Sequence, residues 1–153
     1  MELVFRHAQQ SDLNEIVRML ANDPLGAKRE LFSVPVLKAY EQAFKSIQID
    51  PNNEIIVAEH SDFTLLGFFQ ITYIPNLTYQ GRWRAQIEGV RVNSEQRSIG
   101  IGRALVLHAI ELAKKRHCYL VQLTSDKSRT DALRFYESLG FHATHEGFKL
   151  SLL

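Results

Sequence analysis

One stretch limits what this chain can become more than any other: Ile87-Glu88-Gly89-Val90-Arg91-Val92, a polar run from Asn93 to Ile99, and then Gly100-Ile101-Gly102-Arg103-Ala104-Leu105. The alternation of Val90 and Val92 predicts a strand, and Asn93-Ser94-Glu95-Gln96 has loop composition. From Gly100 onward, Ile101, Ala104, Leu105, Ala109 and Leu112 recur at helical spacing, with Lys114, Lys115 and Arg116 suited to the helix's negative end. A strand feeding a glycine-opened helix offers unpaired N–H groups and a partial positive charge, which suit a diphosphate. Gly100 and Gly102 remove the side chains that would hold such a ligand off the backbone, and Arg97 can add a charged hydrogen bond. A tight turn that packs a helix on a strand is the other reading of the same glycines.

The strand from Trp83 to Val92 carries a second signal. Ala85 and Ile87 mark one face, but Val90 and Val92 are out of step with them by one residue. One extra residue near Glu88-Gly89 restores the phase, so a β-bulge is predicted there. A bulge bends the strand and leaves backbone groups in need of a partner.

The rest of the chain supplies a frame for this junction. Leu3 to His7 reads as a strand, and Asp12 as the N-cap of a first helix with Leu13, Ile16, Val17 and Leu20 on its apolar stripe. Leu25 to Phe32 is ambiguous; Ser33 and Pro35 open a second helix bearing Leu37, Tyr40, Phe44 and Ile47. Glu54–His60 and Phe63–Ile74 read as a hairpin, and Tyr79-Gln80-Gly81 as the turn into the bulged strand. After the glycine-opened helix come a strand at Tyr119–Thr124, a helix at Thr130–Leu139 closed by Gly140, and a hairpin of Phe141–Thr144 with Phe148–Leu152. Periodicity thus predicts one mixed sheet with helices, α/β or α+β, in a single domain over residues 1–153.

Composition narrows the function classes. Eighteen Lys and Arg against 17 Asp and Glu leave a net charge of +1, with no basic run, so a nucleic-acid partner is not expected. No apolar run approaches the roughly 18 residues that would span a bilayer, and the first residues are too polar for a signal peptide. A soluble cytoplasmic protein with no membrane partner is therefore expected. The lone Cys118 lies in an apolar run and reads as a small buried hydrophobe. His108, His117, His142 and His145 lack ligand spacing, so no metal is expected.

Two motifs then point to a family. Arg97-Ser98-Ile99-Gly100-Ile101-Gly102, preceded by Val90-Arg91-Val92, resembles motif A of the GNAT superfamily of N-acetyltransferases (Arg/Gln-x-x-Gly-x-Gly/Ala). Ala132-Leu133-Arg134-Phe135-Tyr136-Glu137-Ser138-Leu139-Gly140-Phe141 resembles that family's later Phe-Tyr-Glu-x-x-Gly-Phe segment, in the right order. The resemblance implies an acyl-CoA N-acyltransferase fold, with a splayed central sheet flanked by helices. It also implies acetyl-CoA as co-substrate, bound by Val90, Arg91, Val92, Arg97, Ser98, Ile99, Gly100, Ile101, Gly102 and Arg103, and a homodimer as a common assembly.

The chemistry it implies is acetyl transfer to a primary amine of a small molecule by direct attack on the thioester. The N–H of Val90 would polarise the thioester carbonyl, an effect worth roughly 3–4 kcal/mol per donor in acyl-transfer sites. Tyr136 would protonate the leaving thiolate, because a phenol of pKa about 10 stays protonated at neutral pH. Glu88, at the bulge, is the candidate general base through water, or else a strand carboxylate paired with Arg84 or Arg91. Arg129 stands where many members carry an asparagine that touches the cofactor arm. The acceptor pocket is implied near Arg29 and Glu30, with Tyr73, Tyr79 and Trp83 as walls. The alternatives are a non-catalytic acyl-CoA-binding regulator and an acetyltransferase of protein or peptide amines. A dinucleotide oxidoreductase is not expected, because Leu105 stands where the third small residue belongs and the glycines do not follow the strand directly.

Overall fold

The alternating stretches form five strands, β1 (Leu3–His7), β2 (Asn53–His60), β3 (Leu65–Ile74), β4 (Arg84–Val92) and β5 (Leu120–Gln122), side by side in that order. The computed structural model describes residues 2–96 and 100–153. Neighbours from β1 to β4 are antiparallel, whereas β4 and β5 are parallel and joined through the helix α5 (Ile101–Lys115). The remaining helices are α1 (Leu13–Ala21), α2 (Gly26–Arg29), α3 (Lys38–Ile49), the one-turn α4 (Thr78–Gly81) and α6 (Thr130–Ser138). The chain divides into two compact units, one ending at Gln122 and the other running from Leu123 to Leu153.

Both faces of the sheet are built by alternation. On one, Phe69, Ile71, Tyr73, Ala85 and Ile87 are buried, as are Ile101, Leu105, Val106 and Ala109 of α5. Gly67 permits this approach: a Cβ there would stand 2.6 Å from the Arg91 carbonyl oxygen and 2.9 Å from Leu105 Cδ1. His108 of α5 stacks on Phe5, ring centroids 4.1 Å apart, and burial pushes its pKa below the ordinary value. On the other face, Leu13, Ile16, Val17 and Phe44 of α1 and α3 join Val57 and Phe68 in a second cluster. Fully burying side chains of this size contributes roughly 1.5–3 kcal/mol each.

Asp12 does not cap α1 through its side chain as its position suggests. Its carboxylate accepts two bonds from Arg6, at 2.8 and 3.0 Å, and one from the Gln9 N–H at 2.7 Å. Arg6 also donates to Glu59 at 3.0 Å. Burial alone would push Asp12 up, but the Arg6 and Gln9 bonds outweigh it and hold the carboxyl below the usual range. The Asp12 and Glu59 bonds raise Arg6 in turn.

The closing hairpin is a correction: residues 141–153 contain no strand. Phe148, Leu150 and Leu152 alternate as a strand face would, but each is at least 86% exposed. Alternation marks a segment able to bury one side; it does not supply the neighbour that makes a strand.

Candidate active site

The expected bulge is present. Across β3 and β4, Phe68 pairs with Arg91 and Gln70 with Glu88, so one residue of β3 faces two of β4. Gly89 takes φ +65°, the left-handed conformation that favours glycine, and a Cβ there would have ordinary room, 3.7 Å from Phe68 Cε2. Glycine is therefore favoured by conformation rather than by space. Past the bulge, Val92 pairs with Gly67, so it returns to the α5 face that Ile87 occupies.

β4 also parts from β5. Their pairing covers Arg84–Gln86 against Leu120–Gln122 and, among the described residues, runs no further. Ile87–Val92 therefore keep one edge without a strand beside it, at the point where the bulge sits. Gly100 opens α5 at φ +79°, is exposed, and has nothing within 4 Å of where a Cβ would stand. No side chain caps α5, so the N–H groups of Ile101, Gly102 and Arg103 have no capping partner among the described residues. A bulged, unpaired strand edge followed by an open, uncapped helix start can hold an extended, amide-bearing arm and an anionic group beyond it.

The other expected positions are disposed as follows. Arg97, Ser98 and Ile99 lie outside the described residues. Arg103 is exposed; Arg91 donates to the Val90 carbonyl at 2.9 Å and lies 3.8 Å from Asp23. Glu88 is exposed and, among the described residues, makes no ion pair with Arg84 or Arg91; it accepts a bond from Gln86 at 3.1 Å. Arg29 is exposed 3.8 Å from Glu30, and Glu30 accepts the Tyr40 hydroxyl at 3.1 Å. Tyr79 sits in a left-handed turn (φ 54° there, 64° at Gln80), its ring 5.0 Å from Tyr119. Trp83 is partly exposed, and its carbonyl accepts the Tyr119 N–H at 2.8 Å.

Tyr73 is not an open wall. It is 2% exposed, its hydroxyl donates to Glu54 at 2.6 Å, and the Arg116 guanidinium lies 4.1 Å from its ring centre. Burial, then Glu54, pushes its pKa above the ordinary phenol value. Glu54 itself is held low: burial works upward, but bonds from Tyr73 and His7 outweigh it. Cys118 is half-buried, and burial pushes its thiol pKa up, which keeps it a poor nucleophile. Among the described residues no group of His, Cys, Asp and Glu is placed to hold a metal.

Tyr136 has a structural role within its own unit. α6 ends with Gly140 at φ +95°, the Gly140 N–H on the Glu137 carbonyl (3.0 Å) and the Phe141 N–H on the Tyr136 carbonyl (3.1 Å). This is a Schellman closure, completed by the Tyr136 and Phe141 rings 5.7 Å apart. The spacing of tyrosine, glycine and phenylalanine in this segment thus has a local cause, whatever the hydroxyl does.

The profile of the Acetyltransferase (GNAT) family matches residues 15–141, and the chain belongs to that family. A glucosamine 6-phosphate N-acetyltransferase of Trypanosoma brucei brucei is 34% identical over 88 residues, 58% of this chain and 58% of that protein. The matched region thus spans less than two thirds of that relative's length. A Bacillus halodurans C-125 protein described as a transcriptional regulator is 53% identical in its crystal structure, with TM-score 0.95 over 99% of this chain and 100% of that one. An acetyltransferase of Trypanosoma brucei superposes with TM-score 0.80 at 26% identity, over 99% of this chain and 100% of that one.

Proposed function

We propose that this chain is an acetyl-CoA-dependent N-acetyltransferase that acts on the primary amine of a small molecule. The observation that carries the reading is the Gly89 bulge beside the unpaired edge of β4: a bulge takes backbone groups out of the ladder, and free N–H groups are the donors an acyl oxyanion needs. Family membership supports it, and so does the relative named for acetylating an amino sugar phosphate.

In this reading acetyl-CoA supplies the activated acyl group. Val90 N–H stabilises the charge that develops on the carbonyl oxygen, and the start of α5 takes the diphosphate. Glu88, through water, accepts the proton that the acceptor ammonium must lose before its nitrogen can attack. Tyr136 gives a proton to the departing thiolate. The protein works in the cytoplasm as a homodimer, without a metal or nucleic acid.

The test is release of free CoA thiol across an amine panel, beside the thermal shift produced by CoA. Tyr136→Phe is expected to slow release by roughly 10²-fold while the CoA shift remains. Unchanged turnover removes Tyr136 from the chemistry. A CoA shift with no turnover on any amine favours a second reading, a non-catalytic acyl-CoA-binding regulator. The description of the Bacillus halodurans relative is what keeps that reading in play.

A further inference from the structure

Most of the buried surface of the sheet is apolar, but one row of half-buried side chains beside the bulge is polar. The cross-strand partners Asn53, Thr72, Gln86 and Gln122 form one row across β2, β3, β4 and β5. All four are only half-buried, and they are tied together by side-chain bonds: Gln122 to Gln86 at 2.9 Å, and Thr72 to Asn53 at 3.4 Å. Glu88 lies two residues along β4 on the same face, bonded to Gln86 and paired across the sheet with Gln70. Two residues the other way is Arg84, in register with Ile74 and Leu120.

Arg84 is the unusual member. It is half-buried, its Nε is buried without a hydrogen-bond partner, and among the described residues it makes no ion pair. A half-buried guanidinium that no carboxylate engages is open to an anion arriving from outside, which it can hold by charge-assisted hydrogen bonds. Arg84 and Glu88 are four residues apart on an extended strand, about 13 Å between Cα atoms. Their side chains can bring the two charges closer, with the amide row between them.

We propose that this platform is the acceptor subsite, and that it selects a primary amine carrying an anionic group, phosphate or carboxylate, at its far end. The amine faces Glu88 and the bulge, the hydroxyl or amide groups in the middle meet Gln86, Gln122 and Thr72, and the anion meets the Arg84 guanidinium. Arg84 is thus a specificity-determining residue. The inference rests on the acetyltransferase reading for the position of the amine, but the binding preference it assigns does not need turnover.

The experiment compares a hexosamine with its phosphate monoester, and a neutral amino alcohol with the matching amino acid. Each pair is measured by CoA-thiol release and by titration calorimetry with CoA present, in the unaltered protein, Arg84→Gln and Arg84→Lys. The anionic member of at least one pair is expected to bind and react roughly 10- to 100-fold better in the unaltered protein. The ratio should fall to near one in Arg84→Gln and recover in part in Arg84→Lys; which pair shows it separates phosphate from carboxylate. If Arg84→Gln does not fold, inorganic phosphate added to the unaltered protein serves instead, and should compete with the anionic acceptor but not with its neutral partner. Equal binding within both pairs, or a ratio that Arg84→Gln leaves intact, overturns the proposal. Absence of thiol release with the binding ratio intact counts against the acetyltransferase reading alone and upholds this subsite.

Discussion

Arg6 and Arg84 are both half-buried arginines on strands of one sheet, and they are treated in opposite ways. Arg6 is closed on two carboxylates, Asp12 and Glu59, whose side chains are each only 9% exposed. Arg84 has an amide row on one side, Ile74 and Leu120 in register with it, and no carboxylate among the described residues. A charge whose partners are supplied from within holds the scaffold together. One left without them is available to something from outside.

Five changes probe this contrast and the site beside it. The largest effect is expected from Arg6→Ala, which leaves Asp12 and Glu59 buried without their cation and should cost about 3–5 kcal/mol in urea unfolding. Arg84→Ala should cost under about 1 kcal/mol, because no native ion pair is lost. Equal losses would mean that Arg84 is scaffold too. Next comes Glu88→Gln, expected to lower kcat/KM by about 10²-fold with little change in thermal midpoint. An unchanged kcat/KM would make Glu88 a neighbour of the reaction and not its base.

Gly89→Ala is expected to cost about 1–2 kcal/mol, since φ +65° is unfavourable with a Cβ while the space itself is open. Its CoA affinity should fall with the bulge, which a thermal-shift titration reads. The smallest effect concerns acid. Asp12 and Glu54 have folded pKa values below their unfolded ones. Their contribution is therefore fully present above the unfolded carboxylate range, about pH 4, and is lost as pH falls through the folded values. Denaturant midpoints between pH 6 and 2.5 should show this loss, and Arg6→Ala should flatten the Asp12 share of it.

Local signals in the sequence carried over well. The one-residue slip between Ile87 and Val90 became a register shift at Gly89, because strand phase is set by near neighbours. Gly140 became a helix closure for the same reason. What failed depends on distant partners. Asp12 looks like a cap until Arg6 and Glu59 are brought beside it. Tyr73 looks like a pocket wall until Glu54 and Arg116 enclose it. The segment from Phe148 to Leu152 has the pattern of a strand, yet pattern without a partner gave none. The amide row was invisible for the same cause: Asn53, Thr72, Gln86 and Gln122 are scattered along the chain, and only register aligns them.

The early parting of β4 and β5 bears on solubility as well. A bare strand edge invites a neighbouring molecule to zip onto it, which is how ordered aggregates begin. Here the kink at Gly89 spoils the straight template that such zipping needs, and the exposed carboxylate of Glu88 sits at the same spot. A change that straightened this segment would therefore put at risk the protein's ability to stay dispersed at high concentration.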